Sequence, residues 1–188
     1  SVNPLPATMA ENRHFKIYPT AAQVHVLRGM QRAYQLWWNQ ILEWTLADFE
    51  NRSLKTGMAG LTKYSKFVTI YRNSLKRMDL DDPMLLLSAG SISMIIKKQL
   101  QSWSMVFDAL KAQKKTGIAS PIGKPKFKRH CDVRSESIPF VFDKRFAATA
   151  VNLEGSKLSA WISVPLLDKS IQGKHLAFAR SDTLNGEI

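Results

Sequence analysis

The stretch LRGMQRAYQLWWNQILEWTLADF, residues 27–49, decides the fold. Its apolar residues recur at Leu27, Met30, Tyr34, Trp37, Trp38, Ile41, Leu42, Leu46 and Phe49. Steps of three and four put them on one face of an α-helix, because 3.6 residues complete a turn. The spacing predicts a helix over about 21–51 with one side buried. Upstream, HFKIY reads as a short strand stopped by Pro19, and Thr20 with Gln23 makes a capping box.

A helix with so wide an apolar face needs partners, and two more stripes follow. Tyr64, Phe67, Val68 and Tyr71 predict a second helix with Thr62 as its N-cap, ended by the patch DLDDP at 79–83. Ile92, Ile95, Ile96, Leu100, Trp103, Phe107 and Leu110 predict a third, from about Ser91 to Lys114. The three can pack as a small bundle. After Lys111 the texture changes. Residues 111–130 hold seven Lys or Arg, no acid, and Gly117, Pro121, Gly123 and Pro125, which together read as an extended basic loop. Beyond it come short β-rich runs: SIPFVF (137–142), ATAVNL (148–153), KLSAWISV (157–164) and KHLAFAR (174–180). The expected fold is therefore α+β, a small antiparallel β-barrel with an inserted helical bundle. Residues 1–20 and 137–188 would form the discontinuous barrel, 21–115 the helical lobe and 116–136 the basic connecting loop. Asn185-Gly186 is a hairpin signal with almost no strand after it, so the chain is expected to be part of a longer one.

Composition narrows function. The 188 residues carry a formal charge of +12, and 45% are apolar, so a folded core is expected together with an acidic partner. Cys131 stands alone, which excludes an internal disulfide and a cysteine zinc site. No apolar run is long enough to span a bilayer, and SVNPLPATMAENRH lacks a signal-peptide layout, so an intracellular protein without a membrane is expected. No active site is recognisable. Asp79, Asp81 and Asp82 read as a solvated turn, and the four His show no ligand spacing.

The chemistry lies in GKPKFKRH, residues 123–130. Lys124, Lys126 and Lys128 alternate, so an extended chain would put them on one side at about 6.6–6.8 Å, near the step between phosphates. Phe127 would then point inward and anchor the loop, with Arg129 adding charge. Two further contacts are expected: Lys63, Tyr64 and Lys66 on the second helix, and Ser91, Ser93 and Lys97 near the start of the third.

The order of these pieces resembles the N-terminal half of the TnpB family, transposon-encoded RNA-guided nucleases related to type V CRISPR effectors. FKIYPTAAQ (15–23), WWNQ (37–40), GLTKYS (60–65), GKPKFKRH (123–130), SIPF (137–140) and LSAWISVPLL (158–167) are similar to successive family motifs, although the tryptophans of WWNQ and QSWSM depart from the usual pattern. The resemblance implies a wedge barrel and a recognition lobe that bind a guide RNA scaffold and double-stranded target DNA. A short motif beside the target would be read near Lys63, Tyr64, Ser91 and Ser93, and pairing by the guide would read the rest. It also implies a prokaryotic, cytoplasmic setting. No cofactor is expected in this chain; a RuvC-like, Mg-dependent nuclease domain, or its inactive relative, is expected beyond residue 188. The alternatives are a stand-alone basic DNA- or RNA-binding protein, a nuclease-dead RNA-guided repressor, and an interaction module for an acidic protein.

Overall fold

The computed structural model describes residues 17–18, 21–130, 151–154, 157–165 and 175–183. Helix α1 runs over Ala21–Glu50, 30 residues or about 45 Å at 1.5 Å per residue. Helix α2 is Gly57–Met78, a short 3-10 helix covers Pro83–Leu86, and α3 is Ala89–Thr116. Residues 117–130 then run on without regular structure as a strap.

The α1 stripe does what its spacing predicts: Met30, Tyr34, Trp37, Trp38, Ile41 and Leu42 are all buried. All but Leu42 join one cluster with Tyr64 and Val68 of α2 and Ile92, Ile95, Ile96 and Leu100 of α3. A smaller cluster of Leu42, Trp103 and Val106 fills the other end. Two polar ties fix the arrangement. The Trp37 indole donates to the Met84 carbonyl at 2.7 Å, holding the 3-10 helix on α1. Gln99, fully buried, donates to the Trp38 carbonyl at 3.0 Å and accepts from the Thr45 hydroxyl at 2.9 Å. A buried amide so satisfied fixes the register of α1 against α3, since a slip would orphan it.

Helix α2 is capped six residues before its predicted N-cap at Thr62. Thr56 is the N-cap, and Gly60 lies a turn inside the helix. A Cβ on Gly60 would clash with the Lys55 carbonyl oxygen and fall 2.9 Å from Leu100 Cδ1, so glycine is what lets the chain at Lys55 fold back over the first turn of α2. The α3 N-cap is Ser88, whose hydroxyl accepts from the Ser91 amide at 3.0 Å. The helix ends at Gly117, in the left-handed region at φ 71°, whose amide donates to the Gln113 carbonyl. Of the acidic turn, Asp79 accepts from the Asp81 amide and Asp82 from the Met84 amide, so both carboxylates cap backbone.

The α+β expectation of a barrel with an inserted bundle is overturned. In the packed body, residues 21–130, all regular structure is helical. The strands β1 Ile17–Tyr18, β2 Val151–Glu154, β3 Lys157–Pro165 and β4 His175–Thr183 pair antiparallel as an open sheet in the order β1-β4-β3-β2. Closing a barrel would require the edges β1 and β2 to meet, and among the described residues β1 pairs only with β4 and β2 only with β3. The alternating apolar pattern signalled strands but carried no information on closure. The capping box at Thr20, the run at 137–142, Cys131 and the turn at 185–186 lie outside the described residues.

Candidate nucleic-acid interface

The basic tract is a strap bound to α1 by its backbone. The Trp38 indole donates to the Lys126 carbonyl at 3.0 Å. The Asn39 amide donates to the Lys128 carbonyl at 2.9 Å and accepts from the Lys128 N–H at 2.8 Å. Gln35 adds a bond to the same carbonyl at 2.9 Å. Three side chains of one α1 face thus hold three backbone groups of the strap, at Lys126 and Lys128, much as a neighbouring strand would. The segments WWNQ and GKPKFKRH, far apart in sequence, are the two halves of one site.

The side chains follow from that edge-on docking. In an extended chain the carbonyls of residues i and i+2 point the same way, at right angles to the side chains. With the Lys126 and Lys128 carbonyls turned onto α1, neither row of side chains enters the core. Phe127, expected to be the inward anchor, is 56% exposed. Its role as a core plug is corrected. Lys124 and Lys128 lie against aromatic faces instead: the Lys124 ammonium is 4.5 Å from the Phe49 ring centre, and that of Lys128 4.7 Å from Trp38. Their stems cover apolar surface while the charges remain at its rim. Lys126 and Arg129 are exposed, so the strap presents cations beside an exposed aromatic.

The other expected contacts divide. Tyr64 is fully buried and donates to Asp48 at 2.6 Å; it has no surface to offer a ligand. Lys63 forms an ion pair with the same carboxylate at 2.6 Å, and Ser53 reaches its other oxygen at 3.2 Å. These residues join α1 to α2. Burial pushes the Asp48 carboxyl upward, but the bonds from Lys63 and Tyr64 and the Lys63 charge outweigh it, so the carboxyl titrates below its ordinary range. Burial and then Asp48 push the Tyr64 phenol up. Ser91 is also buried and belongs to the α3 cap, its hydroxyl accepting from Ser88 at 2.9 Å. Both corrections have one physical reason: a polar residue at helical spacing from an apolar stripe is drawn into the core when a partner awaits it. Ser93 is half-buried, and Lys66 and Lys97 are exposed. None of the three adjoins the strap in sequence.

Charge is distributed unevenly. Residues 51–78 contain no acid, and 83–130 hold nine Lys and Arg against Asp108 alone. Among the described residues no group of His, Cys, Asp and Glu is placed to hold a metal ion, and no helix is long and apolar enough to cross a membrane. No family model, curated protein or solved structure matches the chain. The class that fold and site define is a three-helix body carrying a backbone-docked cationic strap.

Proposed function

We propose that this chain binds nucleic acid through phosphate contacts made by the docked strap, as the protein part of an RNA-guided, TnpB-like DNA-binding assembly. The observation that carries the proposal is the Asn39–Lys128 pair. It holds the tract in one extended conformation, so Lys124, Lys126 and Arg129 are positioned before a ligand arrives. Preorganised cations lose less entropy on binding than a loose tail does. Exposed Phe127 gives a flat face on which a base can stack. Nothing in the strap reads sequence, so it would position a guide RNA scaffold or target duplex rather than select one. Sequence choice would fall to guide pairing, and cleavage to a Mg-dependent domain outside this chain.

The test uses the whole chain carrying Lys124→Ala, Lys126→Ala and Arg129→Ala, against a structured RNA and a DNA duplex. Affinity should fall for all sequences alike. The slope of log affinity on log salt should shrink by roughly 0.9 for each duplex phosphate that is no longer neutralised. Unchanged affinity and slope would remove the strap from the interface. A discrete structured RNA that copurifies with the protein supports the guided reading. If nucleic acid binds but no such RNA copurifies, the stand-alone binder takes its place.

A further inference from the structure

A second surface runs from α2 onto α3. Three depressions, of about 570, 390 and 450 Å³, succeed one another there. The first is on α2 alone, the second between α2 and α3, and the third along α3 beside Thr56; sharing Leu61 and then Ser104, they adjoin in a shallow groove that passes from one helix to the other. Its apolar side chains are unusually open: Met58 is 76% and Ile70 67% exposed. Lys66, Lys97, Lys111 and Lys114 line it, and the single acid along it is Asp108.

We infer that this groove receives an amphipathic helix of a partner protein, with acidic residues flanking its apolar stripe. Exposed apolar side chains beside lysines are the complement of such a helix. Apolar side chains at i, i+3, i+4 and i+7 would enter the depressions, and carboxylates would meet the lysines. Met58 suits this role because an unbranched thioether adapts to what covers it. From Leu100 to Lys114 the α3 wall alone extends about 21 Å, enough for some four turns of a ligand helix. Nucleic acid fits less well. Bases stack on aromatic faces, and the one aromatic along the groove, Phe107, is half-buried and already packed against Phe49 and Trp103. No strap residue lines the groove, so the inference stands or falls apart from the proposed nucleic-acid function.

The probe is a fluorescein-labelled peptide of about 18 residues, five helical turns, with leucines on one stripe and glutamates beside it. An isomer of identical composition with the stripe scrambled is the control. Fluorescence anisotropy with the full chain should show the striped peptide binding about tenfold or more tightly than its isomer. Met58→Glu with Ile70→Glu should weaken it by a similar factor, and Lys97→Ala with Lys111→Ala should weaken it and flatten its salt dependence. All four side chains are exposed, so unchanged far-UV circular dichroism will show that the variants fold. Equal binding of the isomer, no binding of the striped peptide, or indifference to Met58→Glu with Ile70→Glu would each overturn the inference. So would an RNA duplex that binds the chain and loses its affinity in that double variant, which would make the groove a nucleic-acid surface.

Discussion

At the scale of single residues, Asn39 is the pivot. Its amide answers both backbone groups of Lys128, a pairing that no other side chain type of its length reproduces. Asn39→Ala should cost about 1–2 kcal/mol in folded stability and expose the strap. Trypsin should then cut after Lys126 and Lys128 several times faster, while Asn39→Asp, which keeps only the acceptor, should fall between. Equal cutting rates in all three proteins would show that Trp38 and Gln35 hold the strap unaided. The sequence carried half of this. It showed the tract's charge and extension, and it showed WWNQ on a helix. The join between them was hidden because hydrogen-bonding side chains on a helix face do not announce their partners. The inward Phe127 failed for a related reason: alternation fixes which side chains share a side, but the docked backbone edge decides where that side points.

At the scale of elements, α1 was legible nearly to the residue, since its apolar period of three and four is sustained over six turns. The start of α2 was not. The local pattern points to Thr62 as the N-cap, whereas Thr56 caps the helix and Gly60 leaves room for the Lys55 carbonyl. Gly60→Val should therefore destabilise the fold by roughly 2–3 kcal/mol, as overpacking against backbone does. The urea midpoint measures it. Gly57→Ala is the contrast: its Cβ would meet nothing within 4 Å. Only its φ of 64° opposes the substitution, so the loss should be smaller, about 1 kcal/mol. If the two variants unfold alike, the close approach of the Lys55 carbonyl is not what selects glycine at 60. The strands taught the opposite lesson. Short β-rich runs were visible, but closure depends on which edges meet, and no local pattern encodes that.

At the scale of the whole molecule, the Asp48 network gives stability a defined response to pH. The Asp48 pKa is lowered in the folded state, so its contribution is present above the ordinary carboxylate value of about 3.9 and is lost as pH falls through the folded value. The Tyr64 pKa is raised, so its contribution holds below about 10 and declines as pH rises beyond it. Thermal melts across pH should show a plateau with a limb at each end. Asp48→Asn should lower the plateau and flatten the acid limb; an acid limb that is unaltered would assign the loss to other carboxylates. The strap adds a kinetic dimension. Asn39 and Lys128 are separated by 89 positions, so their bonds close a loop around all three helices. The entropy of closing so long a loop is recovered only after the bundle has formed. On a ribosome, α1, α2 and α3 emerge before the strap, so its docking follows the packing of the three helices. In the finished protein the same bonds are the first to open, so strap exchange will be the fastest breathing motion of the body and will proceed without unfolding it.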